Sequence, residues 1–398
     1  MVISNQKICI QCQSRSLSRL INLGNQPWCN DYRLNKNKFY PLKVFYCNNC
    51  LGAQLSYHVK KEVMFLKNYY LSGDNIELIN HFKNLTDDLK KKFFRDKEKK
   101  NILDIGSNDG TFLKNFDDSW YKLGIDPSEI AFKISKKNKI NTIKNFFNYK
   151  LASKLNIEFD LIHASGVFFH VQELISFIKG VKKLLKTSGR FIVQFINFKN
   201  IIYKKQFDQI YHEHLIYYNI ESLEILLNRF DLEINDYKDI NIHGGSSLAI
   251  ITHKGVYEKK SSYYNHLKIF KKNKKFFLSK LNNYESEIKI NKKKFLKNLD
   301  KYKKKNYSIY IIGAPAKSST IINYFGIDES SIKCAFDINR FKIGKYIPGT
   351  RIRIYDESKI NKVSSKDIFL IMSWNYKKTI LNKFKNKFGK KFKYFFPY

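Results

Sequence analysis

The segment LDIGSNDG (103–110) decides the fold class of this chain of 398 residues. It ends the short apolar run KNILDIG (100–106), which predicts a buried strand, and we expect it to open a helix at TFLKNF (111–116). Glycine lets the backbone turn tightly and approach a ligand closely. The spacing of Gly106 and Gly110 differs from the G-x-G-x-x-G pattern of dinucleotide folds. The segment therefore predicts a strand–turn–helix unit that binds a different cofactor.

Three further apolar runs extend this pattern along the chain, at YKLGID (121–126), FDLIHASGV (159–167) and RFIVQFI (190–196). The intervening segment VQELISFIKGVKKLLK (171–186) has apolar residues at helical spacing. Alternation of strands and helices predicts an α/β fold with a parallel sheet covered by helices on both faces.

Two acidic residues at strand ends indicate which cofactor the glycine turn serves. Asp126 closes the second strand, where a carboxylate can accept both hydrogen bonds of a ribose diol. Asp104 is placed to meet an amino group directly or through water. Together these features favour S-adenosylmethionine (SAM) over a nicotinamide cofactor. A glycine turn flanked by two acids that bind no ligand is the open alternative.

The chain divides into four predicted segments. Residues 1–60 carry five of the six cysteines and little periodic structure, and residues 61–250 form the predicted SAM-binding sheet. Residues 251–305 are rich in lysine and predict one or two long helices as a connector. Residues 306–398 restart the strand–helix pattern at YSIYIIGAPAKSSTIINYF (307–325), which predicts a second, smaller Rossmann-like α/β unit.

The N-terminal cysteines form two paired hooks, Cys9-x-x-Cys12 and Cys47-x-x-Cys50. Two such hooks complete a tetrahedral zinc site, and four cysteine ligands leave no open position for chemistry. We therefore expect structural zinc, with disulfides or free thiols as the alternative. Cys29 lacks a paired partner, and Cys334 lies in an apolar run typical of a core.

The formal net charge of +38 raises the possibility of a polyanion partner. Only nine of the 73 basic residues are arginine, the side chain suited to bidentate phosphate recognition, and the lysines are spread along the chain. We therefore favour compositional bias and consider a nucleic-acid partner unlikely. No apolar run is long enough to span a membrane, and the N-terminus lacks a signal-peptide core. A cytoplasmic enzyme is the expectation.

Several long segments resemble, in the same order, the three-domain sugar C-methyltransferases. They are DIGSNDGTFL (104–113), YHEHLIYYN (211–219), IIGAPAKSSTIINYFGI (311–327), IGKYIPGT (343–350) and MSWNY (372–376). The resemblance implies a zinc-binding domain, a SAM-binding domain and a C-terminal Rossmann-like domain. It also implies methylation of a carbon in a nucleotide-diphosphate-linked keto-sugar. The implied cofactor-binding residues are Asp104, Gly106, Ser107, Asn108, Gly110, Asp126 and Ser165.

The resemblance implies catalytic roles for five residues. A carbon beside a ketone becomes nucleophilic once a base removes its proton, and the resulting enolate oxygen then needs hydrogen-bond donors. His214 is the implied base, and Glu213 would orient or polarise the site. Tyr211 and Tyr70 would hold the enolate or the sugar hydroxyls, and His170 would lie near the methyl donor and the reacting carbon. A polar loop tip and a His-x-His metal site are the alternatives for residues 211–214.

The resemblance also implies a substrate site formed by His243, Gly244, Gly245, Ala314, Lys317 and Ser318. Backbone N–H groups at a helix start beside Lys317 suit an anion such as a nucleotide diphosphate. An ordinary strand–helix turn with a solvated lysine is the alternative. The chain departs from the family at Ser165 and Gly166, where paired asparagines are common, and after HGGS (243–246), where the usual arginine is absent. Methylation of oxygen or nitrogen is the second enzymatic hypothesis, and a nucleic-acid-binding protein is the third. The sequence does not define the oligomeric state.

Overall fold

The computed structural model describes residues 7–34, 37–94 and 98–397. The strands are β1 (Leu17–Pro27), β2 (Phe39–Cys47), β3 (Ala53–Leu55), β4 (Asn101–Ile105), β5 (Tyr121–Ile125), β6 (Thr142–Ile143), β7 (Phe159–Ser165), β8 (Leu185–Ile196), β9 (Ile216–Tyr217), β10 (Leu232–Ile240), β11 (Ser246–His253), β12 (Ser308–Ile312), β13 (Cys334–Asp337), β14 (Ile354–Asp356), β15 (Asp367–Ile371) and β16 (Tyr394–Phe395).

The helices are α1 (Lys61–Phe65), α2 (Ile76–Phe93), α3 (Glu129–Lys137), α4 (Tyr149–Ala152), α5 (Leu174–Leu184), α6 (Phe198–Tyr203), α7 (Ile220–Asn228), α8 (Ser261–Lys272), α9 (Lys274–Lys304), α10 (Ala316–Phe325) and α11 (Lys377–Phe388). Among the residues described, none of these helices is both long and apolar enough to cross a membrane.

The central sheet has seven strands in the order β10-β11-β8-β7-β4-β5-β6. Strands β4 to β8 are parallel, whereas β10 and β11 are antiparallel additions at one edge. The chain leaves β4 to build one side through β5 and β6 and the other through β7 and β8. Ligands of such sheets bind outside the carboxyl ends of the strands at this switch point. The fold therefore positions the glycine turn after β4 at the ligand-binding edge.

The segment after that turn differs from the sequence prediction. The expected helix at 111–116 is wrong, because only a single 3₁₀ turn forms at Leu113–Asn115. Phe112 is buried and stacks on the ring of His163, with ring centroids 3.7 Å apart. Packing of Phe112 into the core beneath the sheet therefore replaces a regular helical turn.

The N-terminal segment is more regular than its sequence indicates. β1 and β2 form a long antiparallel hairpin, and β3 and then β9 continue it into a four-stranded sheet. β9 comes from far along the chain, next to the tetrapeptide at 211–214. The zinc-bearing sheet is therefore joined by backbone hydrogen bonds to the segment that carries the predicted catalytic residues.

The C-terminal sheet is parallel, in the order β14-β13-β12-β15-β16. Its first strand, β12, again lies at a switch point, so the turn before α10 and the segment after β15 share one edge. The two long helices α8 and α9 precede this sheet, and Phe277, Tyr284 and Phe295 bury one face of α9. The boundaries at 60, 250 and 305 remain predictions.

Candidate active site

A cavity of about 450 Å³ lies where the binding edges of the central and C-terminal sheets face each other. Gly106, Asp126 and Ser165 line it from the ends of β4, β5 and β7. Lys317 and Asn375 line it from the segments after β12 and β15. One cavity therefore adjoins the switch points of both sheets.

The glycine turn is held in a shape that requires glycine. Gly106 has a φ of +73°, and a Cβ atom there would lie 2.1 Å from a methyl group of Val167. The backbone N–H of Asn108 donates to the Asp126 carboxylate at 2.9 Å. The turn and the acid at the end of β5 are thus fixed relative to each other. Burial raises the pKa of Asp126 to about 6.

The side chain of Asn108 is committed to protein contacts. Its amide nitrogen donates to the carbonyl oxygen of Tyr70, and its amide oxygen accepts from the N–H of Ser72, both at 2.9 Å. Asn75, in the same segment, donates to the hydroxyl of Tyr376 at 2.7 Å. The segment from Tyr70 to Asn75 therefore joins the glycine turn to the C-terminal sheet.

Three of the predicted cofactor-binding residues, Asp104, Ser107 and Gly110, do not line the cavity, and their roles remain predictions. Asp104 lies outside the cavity wall and pairs with His163 below the turn, at 2.8 Å. Ser107 is buried against Gly124, and Gly110 packs on Ile140. These residues support the turn from below. The residues that line the cavity are Gly106, Asn108, Asp126 and Ser165, whose contacts with SAM remain predictions.

His214 is held in one tautomer at the cavity wall. Its Nδ1 atom is 2.7 Å from the carbonyl oxygen of Gln209, which can only accept a hydrogen bond. Nδ1 therefore carries the proton in the neutral ring, and Nε2 presents a lone pair. Burial lowers the pKa of His214 well below its usual range, so the ring is neutral.

His170 has the same arrangement beside it. Its Nδ1 atom donates to the backbone carbonyl oxygen of Glu213 at 2.5 Å, and its ring centroid is 5.2 Å from that of His214. Burial lowers the pKa of His170 to about 4. The structure thus brings two neutral imidazoles to the cavity, and both can accept a proton at Nε2.

The tyrosines and Glu213 complete this wall. The Tyr211 ring lies over His214 with centroids 3.9 Å apart, and burial raises its pKa well above the usual value, so the phenol keeps its proton. Tyr70 is about half exposed at the cavity. Glu213 accepts hydrogen bonds from Trp28 and Asn30 of the N-terminal segment, which sequence reasoning missed. The fourth member of the tetrapeptide, His212, faces away and contacts the carbonyl oxygen of Tyr40.

The predicted substrate residues fall into two groups. His243 and Lys317 line the cavity, whereas Gly244, Gly245, Ala314 and Ser318 do not. Gly244 packs on the Trp374 ring and Gly245 on Asn200, so both shape the loop behind His243. The Ala314 N–H donates to Asp337, and the Ser318 hydroxyl donates to the carbonyl oxygen of Pro315. The contacts of these four residues with a substrate remain predictions.

Lys317 lies in an aromatic and polar recess. Its ammonium is 3.6 Å from the centroid of the Trp374 ring and donates to the Asn375 side chain at 2.9 Å. Asp208 lies 3.9 Å away and accepts from the Trp374 indole at 2.6 Å. Burial lowers the pKa of Lys317 to about 8. The nearby Lys342 also lines the cavity, so this end carries positive charge.

The four paired cysteines form the expected metal site. Their sulfur atoms all lie within 4.8 Å of one another, with 3.7 Å between Cys9 and Cys50 and 3.5 Å between Cys12 and Cys47. Zinc–sulfur bonds of about 2.3 Å place the sulfurs of a tetrahedron slightly under 4 Å apart. The residues therefore fit zinc, which would hold the ends of β1 and β2 together.

Comparison with known proteins identifies three successive domains. Residues 9–65 match the family described as "Putative zinc binding domain", residues 78–236 a methyltransferase domain, and residues 241–397 a C-methyltransferase C-terminal domain. The chain is 24% identical over 350 residues to the C-methyltransferase NovU of Streptomyces niveus, covering 86% of this chain and 82% of that protein.

Solved structures match about half of the chain. The PH0226 protein of Pyrococcus horikoshii OT3 is 20% identical, with a TM-score of 0.38, and the match covers 49% of this chain and all of that one. Magnesium protoporphyrin IX methyltransferase (ChlM) from Synechocystis PCC 6803, bound to SAH, is 12% identical, with a TM-score of 0.36, over 45% of this chain and 88% of that one.

The three domain matches, in this order and over most of the chain, agree with the cysteine cluster and the glycine turn. They also decide between the enzymatic hypotheses in favour of carbon as the methylated atom. The chain is therefore a SAM-dependent C-methyltransferase in which matches to a zinc-binding domain, a methyltransferase domain and a C-methyltransferase C-terminal domain follow one another.

Proposed function

We propose that the acceptor is a nucleotide-diphosphate-linked keto-sugar and that His214 removes the proton from the carbon that is methylated. The observation that carries the proposal is the fixed tautomer of His214, whose Nε2 lone pair is available at the cavity wall. A neutral imidazole in reach of a carbon acid is the arrangement that proton abstraction requires. Bound SAM supplies the methyl group.

Two tyrosines can stabilise the enolate that a weak base such as His214 would form. Because burial lowers the pKa of His214, proton transfer to it is favourable only if the enolate is stabilised at its oxygen. The Tyr211 hydroxyl keeps its proton and can donate to that oxygen, and Tyr70 is placed on the same cavity. We therefore assign proton removal to His214 and the hydrogen bonds to the enolate oxygen to Tyr211 and Tyr70.

The charge at the other end of the cavity supports an anionic acceptor. Lys317 and Lys342 lie near the start of α10, where backbone N–H groups also favour negative charge. A diphosphate carries the negative charge that these groups favour. A keto-sugar attached to that diphosphate would extend toward His243 and the two neutral imidazoles.

The test is hydrogen exchange at the acceptor carbon. A panel of nucleotide-linked keto-sugars is incubated with enzyme in deuterium oxide without SAM, and deuterium uptake is followed by mass spectrometry. We expect uptake with the native enzyme and a loss of about 100-fold or more in His214→Asn. SAM affinity, measured by calorimetry, should be unchanged.

Two variants sharpen the assignment. His170→Asn removes the neighbouring imidazole, and we expect it to keep deuterium uptake while it slows methyl transfer. His266→Asn is the matched control, because its Nδ1 also faces a backbone carbonyl, of Ser262, yet the ring lies outside the cavity. Deuterium uptake in His214→Asn at the native rate would remove His214 as the base. An absence of uptake from every keto-sugar with the native enzyme would reject the enolate route.

A further inference from the structure

The zinc-bearing hairpin reaches the cavity with the end opposite its cysteines. Leu17 pairs with Cys47 at the zinc end, whereas Pro27 pairs with Phe39 at the far end. The residues directly after β1 enter the wall of the active site, where Asn30 and Tyr32 line the cavity. An element whose metal site is structural thus contributes side chains to the catalytic centre.

Two side chains that follow β1, those of Trp28 and Asn30, donate hydrogen bonds to the same carboxylate oxygen of Glu213. The Trp28 indole N–H donates to Oε1 of Glu213 at 2.8 Å, and the Asn30 amide donates to the same atom at 2.7 Å. An indole N–H and an amide NH₂ can act only as donors, so both favour an ionised carboxylate. Burial raises the pKa of Glu213, and these two hydrogen bonds oppose that rise.

Three further titratable groups around Glu213 are neutral, and the ammonium of Lys342 lies beyond them, 5.5 Å from the centroid of the Tyr32 ring. The thiol of Cys29 lies 3.9 Å from the same oxygen. The phenols of Tyr32 and Tyr211 are close enough for the charge of Glu213 to raise their pKa values. Burial raises the pKa of all three well above their usual values, so each keeps its proton. Within the part of the chain that the structure describes, no side chain or backbone group is hydrogen-bonded to Oε2 of Glu213, and the residue lines the cavity.

We propose that Trp28 and Asn30 are positioning residues that keep Glu213 ionised and fix Oε1, so that Oε2 accepts a hydrogen bond from a hydroxyl of the acceptor. The carboxylate would then select acceptors that carry a hydroxyl at that position, because an acceptor without it leaves a buried charge unpaired. The selection of a hydroxyl-bearing sugar rests on the proposed function. The positioning of Glu213 does not.

The indole N–H groups make the positioning measurable without any substrate. The chain has three tryptophans. Trp28 donates to Glu213 and Trp374 donates to Asp208, whereas the Trp120 indole N–H has no hydrogen-bond partner among the residues that the structure describes. A ¹H–¹⁵N spectrum of the full-length protein with labelled tryptophan therefore reports three different environments, assigned with Trp→Phe variants.

We expect the chemical shift of the Trp28 indole N–H to change with pH in the native protein and to stop changing with pH in Glu213→Gln. The Trp374 signal should behave in the same way in both proteins. Asn30→Ala should move the midpoint of that titration upward by about one pH unit, because it removes one of the two hydrogen bonds that favour the charge. A Trp28 signal that is the same in the native protein and in Glu213→Gln at every pH would overturn the proposal.

Methyl transfer supplies the second measurement. Loss of the Trp28 hydrogen bond raises the pKa of Glu213, so in Trp28→Phe the acid limb of the kcat/KM profile should move to higher pH. Trp120→Phe, an equal change outside the cavity, should leave the profile unchanged. An equal loss of kcat/KM at all pH values in Trp28→Phe would show a merely structural role and also overturn the proposal. Failure of the native enzyme to exchange the acceptor proton would instead count against the proposed function alone.

Discussion

The Nδ1 atom of His163 lies 2.8 Å from Oδ1 of Asp104, beneath the glycine turn. Both side chains are almost fully buried, and the His163 ring stacks on Phe112 at a centroid distance of 3.7 Å. The last acid of β4 is therefore a support for the cofactor turn, held from the side opposite to the cavity.

This pair predicts a large stability cost for His163→Ala. Removal of the imidazole leaves the Asp104 carboxylate without that partner and opens a void beside Phe112, so we expect a loss of about 3 kcal/mol in the free energy of unfolding. Urea denaturation measures the change. Asp104→Asn keeps an oxygen for the hydrogen bond and should cost clearly less. A loss below about 1 kcal/mol in His163→Ala would contradict the assigned role.

Gly106→Ala should weaken SAM binding. The added Cβ would lie 2.1 Å from a Val167 methyl group, on a backbone with a φ of +73°. Gly24→Ala is the matched control, because Gly24 has a φ of +74° but nothing within 4 Å of an added Cβ. We expect SAM affinity, by calorimetry, to fall at least about tenfold in Gly106→Ala and to stay unchanged in Gly24→Ala. Equal affinities in the two variants would show that the turn is not the cofactor contact.

Lys317 should give nucleotide binding a pH dependence near 8. Burial lowers its pKa to about 8, so its charge is present below that pH and is lost as the pH rises through it. Affinity for a nucleoside diphosphate should therefore weaken between about pH 7 and 9. Lys317→Met should bind about tenfold more weakly at pH 7 and should lose this dependence.

Calorimetry across this pH range measures both effects. Lys183→Met, at an exposed position of α5, removes the same charge far from the cavity and should behave like the native enzyme. A pH dependence in Lys317→Met that equals the native one would assign it to another group.

The cysteine cluster should hold one zinc ion per chain, which elemental analysis measures. Cys47→Ser breaks the set of four ligands, and we expect loss of the metal and a lower thermal midpoint, since metal binding and folding of such a unit are coupled. Cys334→Ser changes a cysteine outside the cluster and should keep the ion. Retention of stoichiometric zinc in Cys47→Ser would reject the four-cysteine site.

The sheets were predictable from sequence because their strands are short, apolar and separated by turns. β4, β5, β7 and β12 all lie within the runs expected to be strands or to begin with one. The failed helix at 111–116 shows the limit of local patterns, because Phe112 is buried against a residue of a different strand. A partner at that sequence distance leaves no trace in a short window.

The candidate site was only partly predictable for a similar reason. The motif residues His214, His170 and Lys317 reach the cavity, since the carboxyl ends of parallel strands converge. Trp28 and Asn30 were missed because nothing in the sequence links a hairpin end to a tetrapeptide so far along the chain. That link depends on β9, a two-residue strand with no periodicity to detect.

The strand β9 also imposes an order on folding. Gln54 of β3 pairs with Ile216 of β9, which is synthesised about 160 residues later. The N-terminal sheet therefore lacks its last strand until then. At roughly 5–20 residues per second, that interval lasts on the order of ten to thirty seconds during synthesis. The metal can close its hairpin early, while the edge of β3 stays unpaired until the parallel strands β4 to β8 have been synthesised. A nascent chain would therefore expose an open strand edge during this time, the kind of surface that chaperones protect.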